Sequence, residues 1–284
     1  MKQRIALALC LLLLLIYPLA VLSESAAPER LSGSAYFDRG YSVYAVVEAA
    51  GQGLHRVQVT VQYVKDFTTN DDIVAYQMQL PDGTAFDLAA ESLESAAAPT
   101  GFVADIELPA AAQSAWVVPV LEEGGRLEAE AMQITPAESG WDRRIGTLAM
   151  VDNEKQNQRL NLRYAPLADA TVWMQYHNGV PLVITNVLPD GWVAVSIEGS
   201  DARGYMKAEY LAFGEAVAQV MPAMPVVRAT MPFVLYASPD EAAQPLSQHA
   251  QGAEATVLGL STTWYHAEVD GVLGYAMRSA FGES

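Results

Sequence analysis

The sequence predicts an all-β protein: a strand-rich N-terminal unit followed by two copies of one small repeated unit. Three observations predict it. Apolar and polar residues alternate with a period of two through most of residues 36–134. Two later segments, 160–211 and 233–281, carry the same ordered set of glycines and aromatics. Turn residues punctuate both regions at short intervals. Apolar residues make up 51% and charged residues 17%, enough to fill packed cores and to exclude wholesale disorder.

In the N-terminal unit, Val57, Val59, Val61 and Tyr63 alternate with Gln58, Thr60 and Gln62. Val74, Tyr76, Met78 and Leu80 repeat the pattern up to the turn Pro81-Asp82-Gly83. Phe102, Ala104, Ile106 and Leu108 alternate with Val103, Asp105 and Glu107. A run from Trp116 to Leu121 ends at Glu122-Glu123-Gly124-Gly125. Such alternation turns apolar side chains to one sheet face and polar ones to water. Short strands separated by turns predict a β-sandwich, Ig-like in general architecture, over residues 36–134. Residues 89–98 break the pattern and read as a loop or one short helix.

The first 23 residues read as an export signal. Lys2 and Arg4 precede an apolar run from Ile5 to Leu22, and the small residues Ser23, Ser25, Ala26 and Ala27 follow. An uncleaved anchor is the competing reading, because a run of this length nearly spans a bilayer. Either way the rest of the chain is expected outside the cytoplasm, in the extracellular space or cell envelope, with a membrane contact only through an uncleaved N-terminal segment. Cys10, the one cysteine, lies inside this run. The remainder can form no disulfide and can hold no cysteine nucleophile.

The chain has 16 basic and 33 acidic residues, a net charge of −17. It shows no basic stripe, so it is expected to repel nucleic acid and anionic lipid alike. None of the four histidines, His55, His177, His249 and His266, has a partner at metal-ligand spacing, and no nucleophile elbow appears. No catalytic residue, metal or cofactor is therefore expected. His177 falls in a predicted turn and is expected on the surface. Asn70-Asp71-Asp72 offers an incomplete calcium pattern.

The repeat is the most informative feature. Leu162 aligns with Leu235, Pro166 with Pro239, Gly179 with Gly252 and Trp192 with Trp264. Gly199 aligns with Gly271, and Gly204-Tyr205 with Gly274-Tyr275. The first copy, with Leu160-Asn161-Leu162-Arg163, Pro166, Gly179, Gly191-Trp192, Gly204-Tyr205-Met206 and Tyr210-Leu211, resembles the bacterial SH3 domain family. The second keeps the framework, but Phe233-Val234-Leu235-Tyr236 replaces the opening and loses its asparagine and arginine. The resemblance implies two small SH3-like β-barrels, over residues 146–212 and 226–284. It does not reach the N-terminal unit.

The resemblance also implies an envelope ligand such as peptidoglycan. The candidate binding residues are Trp173, Tyr176, Trp192 and Tyr205 in the first copy and Trp264, Tyr265 and Tyr275 in the second. Flat aromatic faces stack on sugar rings or pack against short peptides. The competing reading makes them core, since large aromatics also dominate interiors. Two functions follow. One is an exported, non-catalytic protein whose tandem modules contact a cell-wall glycan or peptide. The other is an extracellular scaffold that holds another exported protein. Bacterial SH3 domains often accompany a Cys–His hydrolase, and that partner is missing from this sequence.

Overall fold

The structure, a computed structural model, describes residues 30–63, 73–90, 101–109, 112–136 and 142–282. The expected export segment, the Asn70-Asp71-Asp72 loop and most of the break at 89–98 lie outside the described residues.

The all-β class holds. In the N-terminal unit the strands are β1 (Arg30–Phe37), β2 (Tyr41–Gly51), β3 (Leu54–Tyr63), β4 (Ile73–Gln79), β5 (Ala85–Ala90), β6 (Gly101–Ile106), β7 (Ala115–Leu121) and β8 (Met132–Pro136). They close into a barrel in the order β1-β2-β3-β6-β5-β4-β7-β8. The expected sandwich is thus corrected to a barrel. β5 joins β4 to β6, and β8 joins β7 back to β1 through Leu31↔Pro136 and Ser32↔Thr135. Period-two patterning reports which face of a strand is buried but not whether sheet edges meet, and closure leaves no open edge. Val43, Val59, Tyr76, Met78, Phe102 and Ile134 fill the interior. A bulge between Ile73 and Ala75 turns Val74 outward, to 43% exposure, against the expectation from alternation.

The rest of the chain forms one 13-stranded sheet. Its first part comprises β9 (Leu148–Val151), β10 (Arg159–Arg163), β11 (Val172–His177), β12 (Pro181–Leu188), β13 (Trp192–Ile197), β14 (Arg203–Lys207) and β15 (Leu211–Phe213). The second comprises β16 (Val226–Arg228), β17 (Phe233–Tyr236), β18 (Pro245–His249), β19 (Glu254–Leu260), β20 (Trp264–Val269) and β21 (Val272–Met277). The strand order β12-β13-β14-β10-β11 recurs as β19-β20-β21-β17-β18, with β9 on β12 and β16 on β19. Even the irregularities repeat. Arg163↔Tyr205 matches Tyr236↔Tyr275, and the bulge at Ile184/Asn186 matches that at Val257/Gly259. Each part curls around a core: Leu162, Tyr176, Ile184 and Val195 in the first, Leu235, Val257, Tyr265 and Phe281 in the second. The glycine of each Gly-Tyr pair is set by close approach. A Cβ on Gly204 would lie 2.6 Å from the Arg163 carbonyl oxygen, and one on Gly274 would lie 2.9 Å from that of Tyr236.

Adjacent units are joined at equivalent places. The outer edge of β11 pairs with β19 through Gln175↔Leu260 and Tyr176↔Gly259. The linker is strapped down as well, with Ala223 N–H donating to Asn178 O at 3.0 Å and Val257 N–H to Pro225 O at 2.9 Å. One repeat earlier, the same stretch of β12 meets the N-terminal barrel. The Ser34 hydroxyl donates to Val187 O, the Thr185 hydroxyl donates to Gln62 Oε1, and Gln62 Nε2 donates to Gly204 O at 3.4 Å. A Cβ on Gly259 would lie 2.8 Å from the Tyr176 ring and 2.9 Å from the Gln175 carbonyl oxygen. Gly259→Ala is therefore expected to destabilise the chain by about 1–3 kcal/mol in urea unfolding, the usual cost of overpacking. An unchanged midpoint would show that the junction has slack.

Candidate functional site

The structure separates the seven candidate aromatics into two groups. Tyr176, Tyr205, Tyr265 and Tyr275 are buried and turn no face to solvent. Tyr205 meets Tyr36 of the N-terminal barrel edge-on, with ring centroids 5.5 Å apart. Its equivalent, Tyr275, stacks on His266 at 4.5 Å and lies 3.5 Å from Asp201 of the preceding repeat through its hydroxyl. The Tyr176 hydroxyl and His266 Nδ1 are hydrogen-bonded at 3.0 Å across the same junction. Tyr265 packs edge-on against Phe281 inside the second core. Three of the four thus sit where units join, and both Gly-Tyr tyrosines contact the unit before their own.

The tryptophans are different. Trp173 and Trp264 are half-buried, Trp173 stacked on Tyr164 at 6.1 Å and Trp264 edge-on to Tyr236 at 5.9 Å. Trp192 is 6% exposed, packed with Leu188, Ala194 and Tyr205. It also lines a groove of about 350 Å³ on the first repeat.

Local register builds this groove. β13 pairs with β14 so that Trp192 lies opposite Lys207, whose Nζ stands 4.7 Å from the centre of the indole ring and donates to Asp190 O at 2.6 Å. β10 supplies Arg159, Asn161 and Arg163, alternate residues from its first to its last, to the lining. Arg163 Nη1 donates to Ala170 O at 2.6 Å, and Asn161 Oδ1 accepts from Gln175 Nε2 at 2.8 Å. Asn153 closes one end of the groove. Its Nδ2 donates to Asn178 Oδ1 at 2.8 Å, and its own carbonyl accepts from Asn178 Nδ2 at 2.9 Å. Tyr210, from the short 3₁₀ turn after β14, is 38% exposed and lines the groove as well.

Lys207, Tyr210, Arg159, Asn161 and Arg163 were not singled out as site residues from the sequence. The signal for two of them was present: the second copy loses just the asparagine and arginine of the Leu-Asn-Leu-Arg opening. Tyr205 lies beneath Trp192, outside the groove lining.

His177 corrects the expectation of an exposed turn residue. It is 8% exposed at the end of β11, opposite Arg159. Burial, and then the neighbouring guanidinium, hold its pKa below the ordinary histidine range. His266 is fully buried, and desolvation pushes its pKa down to about 3. Among the described residues no group of three or more His, Cys, Asp or Glu side chains gathers to hold a metal ion.

No family model and no curated protein matches the sequence. Solved structures similar to part of it include NlpC2 and NlpC1 from Trichomonas vaginalis. Identity is 13% and 14%, over 48% and 51% of this chain, with a TM-score of 0.25 in each case. The match spans about half the length of those chains, 48% and 47%.

Proposed function

We propose that the chain is an exported, non-catalytic binding protein, and that the first of its two SH3-like repeats holds a fragment of a cell-wall glycan or peptide in the groove over Trp192. The observation that carries this reading is the composition of the groove. Leu160, Asn161, Arg163, Trp192 and Tyr210, five residues of the series that resembles bacterial SH3 domains, line it together. They arrive from separate strands and turns, so chance sequence patterning does not account for their meeting. The lining lacks the carboxylate, imidazole, thiol and aliphatic hydroxyl most often used as base or nucleophile, Lys207 and Tyr210 being its titratable groups besides two arginines. The second repeat serves as a fixed support. It keeps the framework glycines and aromatics but has Val234 and Tyr236 where the first has Asn161 and Arg163.

The scaffold reading draws on a different observation, the use of Tyr176, Tyr205 and Tyr275 to join units. That use explains why the aromatics are buried without calling on an outside partner, so it lends the scaffold no specific support, whereas the groove supports a small-ligand reading.

The test is retention on purified cell walls. The whole chain is expected to co-sediment with them, and Tyr210→Ala to weaken retention about threefold to tenfold, the worth of one exposed aromatic contact. Its thermal unfolding should be unchanged, because Tyr210 is exposed. Retention no greater than that of an acidic control protein, with one stoichiometric protein partner co-purifying instead, would favour the scaffold.

A further inference from the structure

We propose that the groove of the first repeat selects ligands by a carboxylate, received by Arg159, Arg163 and Lys207. This rests on reading the groove as a ligand site and names the chemistry that fills it.

The charge distribution carries the argument. Acidic residues outnumber basic ones by 33 to 16 in the chain, yet the groove lining has three cations and no acid. Among the described residues none of the three forms an ion pair, whereas Arg30, Arg56, Arg126 and Arg228 do. Two of the three are held in place by neutral acceptors. Arg163 donates to Ala170 O and Lys207 to Asp190 O, each at 2.6 Å. A backbone carbonyl fixes the side chain without cancelling its charge, so both cations stay available to a ligand at reduced entropic cost. A concave surface lined by one sign of charge focuses potential and raises the local concentration of the opposite sign.

The second repeat supplies an internal control. Register places Pro232, Tyr236 and Met277 at the positions of Arg159, Arg163 and Lys207. The framework is retained there and all three cations are absent, so they are not required by the fold. Their gathering in one repeat belongs to what that repeat binds. Arg163 offers a planar fork suited to a carboxylate, and Lys207 a point charge beside it. Asn153, Asn161 and Gln158 add amides for a neighbouring amide or hydroxyl, and Tyr210 adds a ring. The ligand is accordingly a small acid with a polar body: a sugar acid, or the acidic residue of a short peptide. Attraction confined to one groove also lets a strongly acidic protein approach an acidic polymer.

Calorimetric titration of the whole chain tests this with N-acetylmuramic acid, an Ala-Glu dipeptide, the methyl esters of both, and N-acetylglucosamine. At least one acid is expected to bind, and which one identifies the source of the carboxylate. Its ester and the neutral sugar should bind at least tenfold more weakly, and raising the salt should weaken the acid alone. Arg159→Gln and Lys207→Gln should each weaken the acid severalfold while leaving thermal unfolding unchanged. Equal binding of acid and ester, no binding of either acid up to millimolar concentration, or indifference to both substitutions overturns the proposal. Walls retained as well after esterification as before would overturn it while leaving wall binding intact. Acids that bind although walls are not retained would sink wall binding and leave the carboxylate site standing.

Discussion

Lowering the pH from 7 to 5 should destabilise the second repeat and its junction with the first by about 2 kcal/mol through His266 alone. The imidazole is fully buried between Tyr176 and Tyr275, and its folded-state pKa falls to about 3 from the ordinary 6.5. The folded state therefore keeps the ring neutral while the unfolded chain takes up a proton. Between about pH 6.5 and 3 the unfolded state binds more protons, so stability declines as pH falls through that window and levels off below it. His177, shifted in the same direction, adds to the effect with the same sign. Asp201 accepts from the Tyr275 hydroxyl at 3.5 Å rather than from the imidazole. Urea unfolding at the two pH values, for the native chain and for His266→Gln, measures this. The variant should be less stable at pH 7 and lose less on acidification. An identical pH dependence in the two proteins would remove His266 from the account.

Tyr205→Ala should cost about 3–5 kcal/mol, the range for deleting a fully buried aromatic. The tyrosine is fully buried, and two units close over it: Trp192, Leu188 and Ala194 from its own repeat and Tyr36 from the N-terminal barrel. Its loss opens a cavity at the joint rather than deep in one core. The expected signature is thus a split of the denaturation curve, with the N-terminal barrel unfolding separately from the repeats. Trp264→Ala, at a half-buried position, should leave that joint intact. A loss below 1 kcal/mol with a single transition would mean that Ser34, Gln62 and Thr185 suffice to hold the units together.

The strands and the repeat were legible in the sequence because both depend on near neighbours. Alternation at Val57, Val59 and Val61 gives the buried face of β3 whatever the topology. The ordered glycines and aromatics gave the two repeats, and the structure returns them as the same strand order with the same bulges. Barrel closure was not legible, because it depends on Leu31 meeting Pro136, and nothing local marks that pairing. The roles of the aromatics were hidden for the same reason. Tyr205 looks like a ligand platform until Tyr36, far away in the chain, is placed against it. The groove was half legible. Loss of Asn161 and Arg163 in the second copy pointed to the right wall, but Lys207 joins it only through the β13–β14 register. A tryptophan also looks more accessible in a sequence than it proves to be: Trp192 lines the groove but is only 6% exposed, most of its surface being packed.

The position of the two Gly-Tyr tyrosines has a consequence for the order in which the chain acquires its shape. Tyr205 is covered by Tyr36, and Tyr275 faces Tyr176 and Asp201. In each case the cover comes from a segment made earlier. A chain that emerges amino end first has the lid for each sticky patch before the patch itself exists, and transiently open apolar surface is what draws unfinished proteins into aggregates. Moving the N-terminal barrel behind the second repeat would reverse that sequence of events at the first joint, leaving Trp192 and Tyr205 without Tyr36 until the barrel had been made.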